Sequence, residues 1–174
     1  MSTLLLALAL AAPPTPMPPL TGEFLTGRKA TLPAAASGKV TLLALGFSYD
    51  SRFPVESFVK KWRAQFGADP RTSFFEVPMI GGMARMGKWF IDSGMRRGTP
   101  AADHEHVVTV YGGTAEWKQR LGCNNAKSAC LVLLDAKGNI HWVKESLYDD
   151  AVWTNLQSQA AALLDTHPQT PPIR

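Results

Sequence analysis

Cysteine is scarce: the 174 residues contain only two, Cys123 and Cys130. That excludes a disulfide-framework mini-protein and any four-cysteine zinc site, and leaves room for one disulfide. A membrane-spanning run is also missing, because the apolar stretch Leu4–Ala12 falls well short of the roughly 20 residues a bilayer crossing takes. Charge of either sign is modest at 18%, against 45% hydrophobic residues, which excludes a disordered chain or a coiled coil. The net charge of +4 and a pI near 9.2 make the chain mildly basic. Its cations are scattered, with pairs such as Lys60-Lys61 and Arg96-Arg97 but no stripe interleaved with aromatics, so a nucleic-acid partner is not indicated. No internal repeat is visible. Gly81-Gly82 lacks the lysine and hydroxyl of a phosphate loop.

What is present begins with a segment of targeting character. Leu4–Ala12 has the length of a secretory signal core, and Ala9-Leu10-Ala11 offers an A-x-A cleavage site. No Lys or Arg precedes Arg28, so the positive start of such a signal is missing, and the same absence argues against an Arg-rich mitochondrial transit peptide. Export is expected, to the periplasm or beyond, with membrane association through this segment if it stays uncleaved. An ordinary N-terminal segment is the alternative. Residues 1–19 therefore read as signal plus proline-rich linker, 20–166 as one folded domain, and 167–174 as a disordered tail.

Within the domain, Val40–Phe47 is a continuous apolar run of strand length, suited to a strand buried on both faces. Ser51 is placed to cap a helix in which Val55, Phe58, Val59 and Trp62 recur at helical spacing, ended by Gly67-Ala68-Asp69-Pro70. Ser73–Pro78 is a second strand. Met83–Met95 has a helical pattern with Met83, Met86, Trp89 and Phe90 near one face, read as core or, if exposed, as an adaptable partner surface. His106–Tyr111 is a strand, and Thr114 is expected to cap a short helix through Leu121. Leu131–Asp135 and Ile140–Val143 form a hairpin, and Asp149 or Asp150 caps a last helix. The order strand, helix, strand, helix, strand, helix, hairpin, helix gives an α/β mixed β-sheet sandwiched by helices, with a C-terminal β-hairpin and helix.

The order of elements, the opener LTGEFLTGRKATLP before a buried strand and the hairpin LLDAKGNIHW resemble thioredoxin-like proteins. Residues 85–145 further resemble the ATP-ten group, thioredoxin-like assembly factors of the mitochondrial F-type ATP synthase with homologues in bacteria. The resemblance rests on a paired arginine before a proline (Arg96, Arg97, Pro100), a leucine-glycine-asparagine loop (Leu121, Gly122, Asn125) and Asp135, Gly138, Ile140 and Trp142 in the hairpin. The loop carries one extra residue, and Ser128-Ala129-Cys130 stands where that group has an aromatic. The resemblance implies a thioredoxin-like fold and a role in assembling a membrane complex, with Arg96, Arg97, Asn125 and Trp142 as candidates for partner contact.

In a thioredoxin-like protein the loop from the first buried strand to its helix carries two cysteines; here Tyr49, Asp50, Ser51 and Arg52 occupy it. Thiol exchange at that position is excluded, since neither Ser nor Asp attacks a disulfide. Ser51 is expected to cap the helix and Asp50 to favour its positive end. For Cys123 and Cys130 three readings stay open. They form a structural disulfide in an exported protein, two packed thiols in a cytoplasmic one, or a displaced redox pair activated by Lys118, Arg120 or Lys127. His104 and His106 alternate at a strand entry but lack further ligands nearby, so no metal is expected, and no cofactor either. The function expected is a non-catalytic, redox-inactive scaffold or chaperone that binds a protein partner, with an exported thiol oxidoreductase or peroxidase using Cys123 and Cys130 as the alternative.

Overall fold

The structure, a computed structural model, describes residues 14–166 except for the side chains of residues 83–85. The expected signal core, its cleavage site and the expected disordered tail lie outside these residues. Eight strands form one mixed sheet in the order β1-β8-β7-β4-β5-β6-β2-β3. The strands are β1 (Thr15–Pro16), β2 (Leu20–Phe24), β3 (Lys29–Leu32), β4 (Val40–Gly46), β5 (Thr72–Ile80), β6 (Val108–Tyr111), β7 (Ala129–Leu134) and β8 (Asn139–Ser146). The helices are α1 (Arg52–Phe66), α2 (Lys88–Gly98), α3 (Thr114–Leu121) and α4 (Asp150–Asp165). Among the described residues no helix is long and apolar enough to cross a membrane.

β4 explains its own composition. It pairs in parallel with β5 and antiparallel with β7, so the side chains of Val40, Leu42 and Ala44 face one layer and those of Leu43 and Leu45 the other. The first layer is closed by Phe58, Val59, Trp62 and Phe66 of α1 with Trp153, Leu156, Ala160 and Leu164 of α4. The opposite layer takes Trp117 of α3, Leu20 and Phe24 of β2, and both cysteines. Burial on both faces leaves no polar side of the strand, hence the unbroken apolar run. The helix α4 begins as expected: the Asp149 carboxylate accepts from the amides of Ala151 (2.8 Å) and Val152 (3.0 Å).

Several local expectations give way to tertiary demands. The proline-rich stretch joins the sheet, with Thr15 opposite Ile140 and Pro16 opposite Asn139, and Met17 entering the core. The hairpin β2–β3 sits at the far edge, where a side chain at Gly22 would lie 2.6 Å from the Thr109 carbonyl oxygen, so only glycine lets β2 approach β6. Thr114 is the first residue of α3 rather than its cap. Gly113, at a φ of 66° that favours glycine, turns the chain there instead. His104-Glu105-His106 forms part of a 3-10 turn, Ala101–His106, not a strand entry, so the alternation argument for a shared metal ion does not apply.

Glu76 of β5 is half-buried on the sheet, and desolvation there together with the charges of Glu56 and Asp103 raises its carboxyl to about 7, against the opposing pull of Arg63. The folded chain therefore holds this proton more tightly than the unfolded one. Its contribution is fully present below the ordinary carboxyl range near 4.5 and is lost as pH rises through about 7. Glu76→Gln removes that dependence. In urea titrations the variant should be more stable than the parent above pH 7, by about 1–3 kcal/mol, and the difference should shrink towards pH 4.5. Equal differences at both pH values would disprove a half-buried, proton-holding Glu76.

Candidate functional site

β4, β5 and β6 run in parallel and β7 runs against β4, so the end of β4, the start of β7 and the first turn of α1 share one end of the sheet. In open α/β sheets ligand sites favour the carboxyl ends of the parallel strands. Here that end holds two loops. One leaves β4 at Gly46 and enters α1; the other runs from α3 through Cys123 to Cys130 at the start of β7.

The first loop is closed on itself by two serines. The Ser51 hydroxyl donates to the Ser48 carbonyl (2.7 Å) and accepts the Ser48 amide (3.1 Å). The Ser48 hydroxyl accepts the Ser51 amide (3.3 Å) and donates to the Ala126 carbonyl (2.6 Å), which ties the first loop to the second. Ser51 occupies the N-cap position, fully buried, but its side chain turns back to Ser48 and bonds none of the α1 amides. The capping expected of it is thus replaced by a loop lock. Gly46 is required beneath it, since a β-carbon there would lie 2.8 Å from the Ser51 hydroxyl oxygen. Outside the lock, the Arg52 guanidinium lies over the rings of Tyr49 (4.3 Å) and Phe53 (4.6 Å), both largely exposed. Asp50 is exposed beside them.

Cys123 and Cys130 are bonded to each other, with a Cα–Cα distance of 5.9 Å. Each residue is 1% exposed and packs in the α3-side core. Cys130 lies opposite Leu45 of β4 and Glu145 of β8, so the bridge sits directly beside the strand that ends in the serine lock. The three cations expected to activate a thiol are spread out. Lys118 lies over the Phe47 ring (5.3 Å), Arg120 pairs with Glu116 (2.9 Å), and Lys127 is exposed.

The other sequence-predicted residues are not gathered here. Asn125 shapes the second loop: its side chain accepts the Lys127 amide (3.0 Å), its carbonyl accepts the Ser128 amide (3.1 Å), and its own amide donates to Glu145. Trp142 is half-buried on β8, opposite Leu133, and packs on the α1/α4 layer. Arg96 donates to the Leu25 carbonyl (2.6 Å) at the β2–β3 turn, where the chain passes the start of β6, several strands across the sheet from the disulfide. Arg97 is exposed beside it. The imidazoles of His104 and His106 turn to different carbonyls, those of Thr99 and Phe74, and among the described residues no three His, Cys, Asp or Glu side chains gather as a metal site. Phe53, Ser48 and Gly46 were not predicted as site residues. The Ser-x-x-Ser spacing and the pair Tyr49/Phe53 around Arg52 were the available signals.

No family model matches the chain, and no curated protein matches it. Solved structures do. The chain is similar to a thiol:disulfide interchange protein DsbE from Chlorobium tepidum, at 17% identity over 87% of this chain and 96% of that one, with a TM-score of 0.58. It is similar to the exposed lipoprotein thioredoxin Etrx1 of Streptococcus pneumoniae, at 13% identity over 81% and 99%, with a TM-score of 0.55. It is also similar to BsSco, a member of the Sco family of cytochrome c oxidase assembly proteins studied for a disulfide switch, at 11% identity over 84% and 94%, with a TM-score of 0.56. The fold is thioredoxin-like, as expected. The expectation of a redox-inactive chain gains no support, because the two cysteines form a disulfide at the end of the sheet where the reactive loop of such folds would lie.

The bridge closes an eight-residue loop, which constrains the unfolded chain by about 2.5 kcal/mol. A Cys123→Ser/Cys130→Ser double variant should therefore lose about 2–3 kcal/mol in urea unfolding, and the parent should lose as much in excess reductant. An unchanged midpoint in both would show that the bridge does not hold the second loop.

Proposed function

We propose that this protein is an exported thiol–disulfide protein of thioredoxin-like fold whose redox group is the Cys123–Cys130 pair, moved from the start of α1 to the facing loop. One observation carries it: the only two cysteines are bonded beside the end of β4, in the loop that Ser48 ties to the vacated position. The exchange runs with a partner dithiol. A partner thiolate attacks one sulfur of the bridge and forms a mixed disulfide, releasing the other cysteine as a thiolate. The partner's second thiolate then displaces the first cysteine. The partner leaves as a disulfide and this chain as a dithiol, two electrons having passed to it. Because both sulfurs are buried, the second loop must open before attack, which favours a switch that responds to its partner over a fast general reductant. Export accords with a persistent disulfide, which oxidising compartments keep, and with the signal-like Leu4–Ala12. The peroxidase form of this reading has no exposed thiol to support it.

A second reading is favoured by a different observation, the 1% exposure of both cysteines beside an exposed Tyr49–Arg52–Phe53 surface. In it the bridge is a staple and the loop at the vacated position binds a protein partner. The assembly of a membrane complex such as ATP synthase is what the resemblance over residues 85–145 implies for that partner.

The reduction potential of the pair, measured by thiol trapping in graded dithiothreitol and glutathione buffers, separates the two. The redox reading expects a value between about −120 and −230 mV, with exchange complete within minutes. A value below about −300 mV overturns it in favour of the staple. In that case the Cys123→Ser/Cys130→Ser variant would keep its partner binding, apart from the loss of stability.

A further inference from the structure

The helix α2 is inside out. It contributes no residue to either buried apolar layer. Its one buried residue is Asp92, whose carboxylate accepts from Lys88 Nζ (2.7 Å) and from the Tyr111 hydroxyl (2.6 Å). Lys88 also reaches Glu23 of β2 (2.8 Å), and Arg96 donates to the Leu25 carbonyl (2.6 Å). The helix is thus fixed to the sheet by its charges. Three large apolar side chains here face solvent: Met86 just ahead of the helix is 89% exposed, Trp89 79% and Phe90 70%. Met86, Trp89 and Phe90 therefore mark an outward surface, not core, while Ile91 and Met95 are half-buried.

The charges around this surface are unbalanced. Glu23 and Asp92 share Lys88, and Glu105 pairs with Arg28, so these pairs leave one negative charge over. Beyond these pairs stand exposed Lys29, which lies opposite Glu23, and exposed Arg96 and Arg97. The local excess is positive, in keeping with the chain's net charge of +4. Trp89, Ser93 and Arg97 fall at i, i+4 and i+8, so ring and guanidinium share one outward line of the helix. A surface that joins adjacent Trp and Phe to Arg97 along one helix, with a net positive charge around it, complements an apolar layer edged with negative charge. The rings enter the acyl boundary while the arginine stem reaches back to the headgroups.

We infer that α2 is an interfacial element through which the protein lies on an anionic phospholipid surface, with Met86, Trp89 and Phe90 inserted and Arg97 on the headgroups. This contact is separate from the N-terminal segment and from the disulfide, and it stands whichever of the two functional readings holds.

The test is co-sedimentation of the full chain with phosphatidylcholine vesicles containing about one third phosphatidylglycerol, against phosphatidylcholine alone. The parent should bind the anionic vesicles and release on raising salt. Trp89→Ser/Phe90→Ser should weaken binding by about tenfold or more, and Arg97→Gln by several-fold, with circular dichroism and thermal unfolding unchanged because these side chains touch no core. Binding that survives Trp89→Ser/Phe90→Ser unaltered would overturn the proposal and assign it to Leu4–Ala12. A parent that stays in the supernatant overturns it as well, and leaves this face to a protein partner.

Discussion

The pairing of β4 on both edges is the constraint from which the site follows. With β5 on one side and β7 on the other, and a helical layer over each face, every backbone and side-chain direction of Val40–Leu45 is taken. The chain can turn only at Gly46, and it turns at a place fixed to within the register of three strands. That register sets Cys130 opposite Leu45 and Ala129 opposite Gly46. The loop carrying the serines and the loop carrying the disulfide are neighbours for this reason, not through any affinity between their side chains. The Ser48–Ala126 hydrogen bond then uses a proximity the sheet has already created.

Two kinds of adhesion hold the helices. α1 and α4 are bound by aromatic and aliphatic burial, which is non-directional and tolerates small shifts. α2 is bound by Lys88, Asp92, Tyr111 and Arg96, whose contacts are directional and partly solvated. Exposed ion pairs contribute little to stability. Asp92 is the exception, being buried and doubly bonded, and losing both donors would strand its carboxylate. The same Asp92 keeps the Tyr111 hydroxyl protonated well above its ordinary range, after the larger effect of burial. A helix seated this way leaves its apolar side chains free, which a helix seated by apolar packing could not do.

How far the sequence could be read depended on whether a pattern has one physical cause. The unbroken run of β4 admits only double burial, and it was legible. So were α1, from Val55, Phe58, Val59 and Trp62, and the start of α4, because an aspartate ahead of an apolar-periodic stretch has few other uses. The apolar face of Met83–Met95 was legible as a face, but periodicity does not say whether the sheet or the solvent meets it. Only the Lys88–Asp92 spacing hinted at the inversion, and an i, i+4 ion pair is ordinarily a surface feature. Ser51 was placed at the right position for a cap, yet the Ser48 carbonyl and amide, brought close by the turn at Gly46, compete better for its hydroxyl than the helix amides do. The β2–β3 hairpin was hidden because its defining residue, Gly22, records a contact with Thr109 some 87 positions away.

Moving a disulfide from the start of a helix to the loop facing it changes its chemistry more than its place. At a helix start, the orphan amides and the dipole stabilise a thiolate and make one sulfur a good leaving group. Cys123 and Cys130 have neither aid: Cys130 lies within a strand, Cys123 follows the end of α3, and the nearest cations are engaged elsewhere. Reduction must therefore be driven by opening the second loop, since both sulfurs are buried. The structure links that opening to the Ser48 hydroxyl, and through Ser48 to Ser51 and the first turn of α1. On the proposed redox reading, a change of state at the cysteines is felt at Tyr49, Arg52 and Phe53 through this serine lock, the surface the second reading gives to a partner.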